Sequence, residues 1–210
     1  MNILIIGAGN MGAALVKQLS RAGHRVTVTA RNLEKAQALA QQHPNTVAVP
    51  SAGATEGVDT VIVATAYADA VPALQAVGNL QGKVVIDITN PLTPDYMGLT
   101  VGHTTSAAEE IARAVPNAHV VKAFNTLFAQ VLAEGADFGQ GRTATVFVAS
   151  DSERARQTAT VLAESMGFAV QAAGGLQNAR YLEPLAGLNI YLGYGAGLGT
   201  TIAPTWIHRA

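Results

Sequence analysis

A doubly wound, mostly parallel α/β sheet is predicted by three observations. Apolar residues switch between a strand-like and a helix-like period from the first residues to about position 170. The strand-like runs are continuous and β-branched, as in parallel strands whose two faces are both covered by helices. The chain carries 21 glycines in 210 residues, as a fold with many tight turns requires.

The elements follow in order. Residues 3–6 form the first apolar run, and 11–22 the first helical stretch. Residues 25–29 and 46–49 are β-branched runs flanking a helical stretch at 33–42. Residues 59–64 give a fourth strand, 70–77 a helix and 83–88 a fifth strand. The stretch DITNPLTPDYMGLTVGHTTS then has two prolines, two glycines and no period, which predicts a long loop after that strand. Long loops at the carboxyl ends of such strands are where ligands bind. A helix is predicted at 107–115, opened by Ser106 and Glu109 in the S/T-x-x-E spacing of a capping box. Strands at 119–123 and 144–149 precede a helix at 153–166, which Asp151 or Ser152 can cap and Gly167 can end.

Composition narrows the function. With 49% hydrophobic and 13% charged residues, the chain has more apolar surface than average, and some of it is expected to meet another subunit. A net charge of -1 without Lys/Arg clusters argues against nucleic acid or an anionic membrane as partner. The absence of cysteine excludes disulfides, thiolate metal sites and cysteine nucleophiles. His24, His43, His103, His119 and His208 are scattered, so they read as surface or satisfied polar residues and no metal is assigned. No basic leader precedes the first apolar run, so no signal peptide is expected and the expected compartment is the cytoplasm.

Gly7, Gly9 and Gly12 follow the first strand and lead into a helix, the context a dinucleotide-binding GxGxxG loop requires. Gly7 permits the tight turn, Gly9 lets the backbone approach a pyrophosphate, and Gly12 lets helix and strand pack closely. The amides at the helix start, with Ala8, Asn10 and Met11 beside them, would face the phosphates. The sheet is therefore expected to be of Rossmann type. About twenty residues past such glycines, NAD-binding chains place a carboxylate on the ribose. This chain places Thr29, Ala30 and Arg31 there, with Lys35 one helical turn on, so donors stand where an acceptor is usual and NADP is the expected nucleotide. The alternative is that Arg31 and Lys35 belong to a solvated helix start and pair with Glu34.

The blocks GAGNMG, TARNLEKA, VIVATAYADAV, DITNP, TSAAEEIA, VKAFNT and GGLQNARYLEPL together resemble the coenzyme F420-dependent NADP oxidoreductases, over nearly the whole chain and in that family's order. The same module resembles the NADPH-binding domain of the transmembrane metalloreductases. The resemblance implies pyrophosphate contacts at Ala8, Gly9, Asn10 and Met11 and 2′-phosphate contacts at Arg31 and Lys35. It also implies a nucleotide path lined by Ala64, Thr65 and Ala66, then Thr89, Asn90 and Pro91, then Ala123. Ala66 stands where that family usually has proline, which leaves the shape of that wall open.

Hydride transfer between stacked rings needs orientation and exclusion of water more than an acid or base. No catalytic residue is assigned. Asp87 reads as a strand-end hydrogen-bonding residue, His103 lies in the loop expected to border an acceptor, and Lys122 can project into the cleft or away from it. No G-x-S-x-G elbow appears. The expected acceptor is flat and aromatic, coenzyme F420 or a flavin, and the alternative is an NADPH-binding redox sensor without turnover.

Residues 1–172 are expected to form the NADP-binding domain and 173–210 a helical extension. After Glu183 no charge appears up to Pro204, yet Asn189, two tyrosines and five glycines make a poor membrane span. The extension is expected to lie under the sheet edge or against a second subunit, walling the acceptor pocket and forming a homodimer contact.

Overall fold

A computed structural model describes residues 1–206 and Arg209. His208 and the other terminal residues of the 173–210 extension that are left out lie outside the described residues. Strand β1 (Asn2–Ile6) lies inside a parallel sheet, between β2 (Arg25–Thr29) and β4 (Thr60–Val63). With β3 (Thr46–Ala48), β5 (Val84–Asp87) and β6 (His119–Lys122), the order is β3-β2-β1-β4-β5-β6. Order reverses between β1 and β4, and in such sheets the crevice for a ligand lies there, at the carboxyl ends of the strands.

Both faces are covered, as the unbroken apolar runs require. Ile3, Ile5, Val28, Ile62, Ile86 and Val121 meet Leu15 and Leu19 of α1 (Asn10–Arg21) in one core. The same core takes residues of α2 (Leu33–Ala40), α5 (Ala129–Glu134) and α6 (Glu153–Ser165). On the other face Leu4, Ile6, Val61, Val63 and Val85 meet Leu74 of α3 (Tyr67–Ala76) and Ile111 of α4 (Ala107–Ala114). Each Leu or Ile buried in this way contributes about 1.5–3 kcal/mol.

The capping expectations hold. Ser106 Oγ accepts from Glu109 N at 3.2 Å and donates to the Glu109 carboxylate at 2.7 Å. Ser152 caps α6, while Asp151 instead accepts from Leu176 N at 3.0 Å. Among the histidines, His24 is a satisfied buried group, 3.1 Å from the terminal amine and 3.0 Å from Ser165 Oγ.

Two elements, α5 and β8 (Ala169–Ala172), escaped the sequence reading. Helix α5 is only six residues, too short for two turns of period. Strand β8 is mostly exposed, so it lacks the apolar run of a buried strand. It pairs in parallel with β7 (Thr145–Val148), and this small unit joins the main sheet at one antiparallel bridge between Lys122 and Ala149. Helix α3 begins at Tyr67, three residues earlier than its periodicity suggests.

The extension forms α7 (Ala179–Ile190), a wide helical turn at Tyr191–Gly195, and irregular chain beyond it. Leu182, Glu183, Ala186 and Asn189 face inward, whereas Tyr181, Leu188, Tyr191, Tyr194 and Leu198 are exposed. No helix among the described residues is long and apolar enough to cross a membrane.

Candidate functional site

Four segments meet at the carboxyl ends of the strands, after β1, β2, β4 and β5. Gly7 takes φ of 121°, donates its amide to Thr29 O at 2.8 Å, and leaves no room for a Cβ, which would come within 2.4 Å of Ala64 O. At Gly12 a Cβ would fall 2.0 Å from Gly7 O, so glycine alone lets α1 come this close to the turn. Gly9 is the opposite case: it has an ordinary negative φ, is exposed, and nothing lies within 4 Å of its would-be Cβ. It caps α1 with no side-chain hydrogen bond, and the first amides of the helix have no partner one turn back. Asn10 is exposed there, and Ala8 and Met11 are half-buried. This cradle fits a pyrophosphate by shape and by donor chemistry.

At the end of β2, Ala30 is half-buried and Arg31 points out, its side chain 89% exposed. Arg31 pairs with Asp69 of α3 at 3.3 Å, not with Glu34. Lys35 is exposed in the first turn of α2, and its amide donates to Oδ1 of the capping Asn32 at 3.0 Å. Thr29 departs from expectation. It is fully buried, and its hydroxyl lies 3.1 Å from Ser51 Oγ, because the last residue of β2 faces the sheet interior. It stands beneath the glycine turn with its hydroxyl against Ser51.

The β4 loop presents Ala64 and Thr65 half-buried and Ala66 exposed, as a wall should be. After β5 the chain turns at Asn90, which is half-buried and exchanges hydrogen bonds with Asn125: Asn90 Nδ2 to Asn125 O at 2.9 Å, and Asn125 Nδ2 to Asn90 Oδ1 at 3.0 Å. Thr89, Pro91 and Ala123 are buried, so these three expected lining residues form the floor behind the wall. Thr89 Oγ1 and Thr126 Oγ1 are buried there with no hydrogen-bond partner.

Beneath this floor lies a charged cluster. Lys122 Nζ stands 2.6 Å from Asp87 Oδ2, 2.8 Å from Glu183 Oε1 and 2.7 Å from Thr89 O, and none of the three charged side chains is more than 1% exposed. Lys122 and Asp87 sit opposite each other in the β5–β6 register. Neither opens into the crevice, which resolves the two orientations left open for Lys122. Glu183 also accepts from the amides of Ala107 at 2.9 Å and Ala108 at 3.2 Å, capping α4 from a distant part of the chain. Burial holds the Glu183 carboxyl above the usual carboxylate range, against the opposing pull of Lys122 and the Ala107 amide. Tyr67, whose hydroxyl donates to Glu110, is pushed up to about 12 by burial first and then by that carboxylate, so it stays a neutral phenol.

Sequence reasoning missed Asp69, Asn125, Thr126 and the role of Glu183. A lone lysine and a lone aspartate at the ends of two neighbouring apolar runs was the available signal, because such charges are almost never buried unpaired. His103 is exposed at φ of 59°, and no described contact ties it to the crevice.

A glycine cradle at the switch point of a doubly wound parallel sheet defines a Rossmann-type dinucleotide-binding domain. Residues 2–91 match the family described as NADP oxidoreductase, coenzyme F420-dependent. A crystal structure of a candidate F420-dependent NADP-reductase from Arthrobacter sp. FB24 superposes with a TM-score of 0.86 at 28% identity, covering 98% of this chain and 99% of that one. The metalloreductase STEAP3 of Rattus norvegicus is 28% identical over 182 residues, 86% of this chain and 35% of that protein. Pyrroline-5-carboxylate reductase of Mycobacterium tuberculosis is 32% identical over 123 residues, 55% of this chain and 41% of that protein. The chain thus spans between a third and a half of these two relatives. The likeness throughout is to reductases, and the matched family and the Arthrobacter structure are described as NADP-dependent.

Proposed function

We propose that the chain binds NADPH across the crevice and passes a hydride to a flat aromatic acceptor, coenzyme F420 or a flavin. The observation that carries this is the Gly7–Gly9–Gly12 cradle with the exposed Arg31 guanidinium at its β2 side. When bound, the dihydronicotinamide supplies a hydride, two electrons with one hydrogen nucleus, and is left as the oxidised nucleotide. The chain's own part is to hold and orient. The amides at the start of α1 take the pyrophosphate, and Arg31 and Lys35 take the 2′-phosphate. Ala64 to Ala66 and Asn90 form the walls, and the Asn90–Asn125 pair fixes the β5 loop against β6. Asp87 and Lys122 neutralise each other out of reach of solvent, which suits a reaction that asks no acid or base of the protein.

The exposed apolar side chains of α7 and the chain beyond it are the surface through which two copies would pair, walling the acceptor side. Steady-state oxidation of NADPH with a panel of deazaflavin, flavin, quinone and ferric acceptors tests the reading. Turnover on a deazaflavin or flavin is the expected result. Tight NADPH binding without turnover on any of them would assign the chain to redox sensing, and no binding would overturn both readings.

A further inference from the structure

Asp69 holds a place that the glycine motif does not account for. Arg31 follows β2 and Asp69 lies in the first turn of α3, which follows β4; β1 runs between those two strands. Two strand spacings amount to about 9–10 Å, so the 3.3 Å ion pair reaches across the carboxyl end of β1, over the mouth of the crevice. The partners are unequal: the Arg31 side chain is 89% exposed and that of Asp69 43%, so Arg31 has little else to hold it.

Resting on the NADP-binding reading above, we infer that Asp69 sets the nucleotide selectivity of this site by competing with the 2′-phosphate for Arg31. An arriving 2′-phosphate takes the guanidinium in a stronger, charge-assisted contact and must break the Asp69 pair to do so. The freed carboxylate then stands near a phosphate of like charge. A nucleotide with a bare 2′-hydroxyl meets neither penalty, and its hydroxyl can donate to the same carboxylate, as ribose hydroxyls do to the acidic residue of NAD-binding chains. Asp69 therefore narrows the preference for NADPH that Arg31 creates. The acid absent from the end of β2 is supplied, in part, from α3.

The test measures Kd for NADPH and NADH by calorimetry on the full chain, with no acceptor present. Asp69→Asn should tighten NADPH by about two- to fivefold, the range of an exposed ion pair, and leave NADH unchanged or weaker. In an Arg31→Ala background the same substitution should have a smaller effect on NADPH, since the competition is gone and only the repulsion between the Asp69 carboxylate and the phosphate remains. If Asp69→Asn leaves the NADPH-to-NADH ratio unchanged while Arg31→Ala still weakens NADPH, the inference falls and the NADP site stands. If Arg31→Ala itself changes nothing, the site reading fails first. Both positions are surface-exposed, so the variants retain the fold, and a circular dichroism spectrum checks it.

Discussion

Lys122 of β6 and Glu183 of α7 meet at 2.8 Å with no more than 1% of either side chain exposed. Through this pair, and through the amides of Ala107 and Ala108, one carboxylate fastens the C-terminal helix to both the sheet and the start of α4. Lys122→Met would leave Asp87 and Glu183 buried without their counter-charge. Removing one member of a buried pair costs about 3–5 kcal/mol, a large share of a domain's total stability. Urea unfolding of the variant should show that loss, and adding Asp87→Asn with Glu183→Gln should recover part of it. A change within about 0.5 kcal/mol in the single variant would mean the cluster contributes nothing.

The glycines of the cradle separate binding from folding. Gly9 has ordinary backbone angles and empty space beside it, so Gly9→Val should fold normally and lose nucleotide affinity. Gly12→Ala should instead disturb the turn itself, since its Cβ would fall 2.0 Å from Gly7 O. Paired melting and nucleotide titrations check both; unchanged affinity in a folded Gly9→Val protein would take the loop out of the site.

Charge at the end of β2 should make NADPH bind more tightly than NADH by about 1–3 kcal/mol, the range for hydrogen bonds to charged groups. Arg31→Ala should remove most of that difference. Equal affinities for the two nucleotides in the unaltered chain would refute the argument from charge.

Acid should loosen the contact between α4 and α7. Arg180 donates to the Glu109 carboxylate at 2.6 Å and, with Ser106 adding a second hydrogen bond, holds it below its ordinary value of 4.5. A depressed carboxylate lends stability that is present above the unfolded value and lost as pH falls through the folded one. The loss should therefore begin near pH 4.5 and grow below it. Glu183 is linked in the other sense: burial raises its carboxyl, so what it lends is greatest at acid pH and declines as pH rises through its folded value. Glu109→Gln should flatten the acid side of a melting-temperature profile and Glu183→Gln should steepen it; identical profiles would dismiss both linkages.

The sheet was legible because its strands are buried on both faces and so written as unbroken apolar runs, and the cradle because only glycine fits at Gly7 and Gly12. Helix α5 and strand β8 were not, being short and without a covered face to impose a period. Side-chain direction was the harder part. Thr29, Thr89, Pro91 and Ala123 stand at or just past the strand ends, yet each is buried, an outcome of packing. Long-range pairings such as Arg31 with Asp69 and Lys122 with Glu183 join distant segments and leave no mark in local sequence.

The remaining prediction concerns the outer face of the extension. Tyr181 is 74% exposed, Leu188 55%, Tyr191 53%, Tyr194 64% and Leu198 59%, five large apolar side chains on one short segment. Single exposed apolar residues are ordinary, but five on a segment of eighteen residues are expected of a surface that meets something. A second copy of the chain could present the same group across a two-fold axis, so that each covers the other. Gly195 is a poor place to test this, because a Cβ there would meet the Tyr191 ring at 2.8 Å and any effect would mix strain with interface loss. Leu188→Glu is cleaner, since that side chain is 55% exposed and belongs to none of the buried core clusters. Light scattering of the unaltered chain at micromolar concentration should give a dimer, and Leu188→Glu should give a monomer with unchanged NADPH affinity and slower turnover of the acceptor. A monomer in the unaltered chain, or a fully active dimer in the variant, would assign this face to something other than self-association.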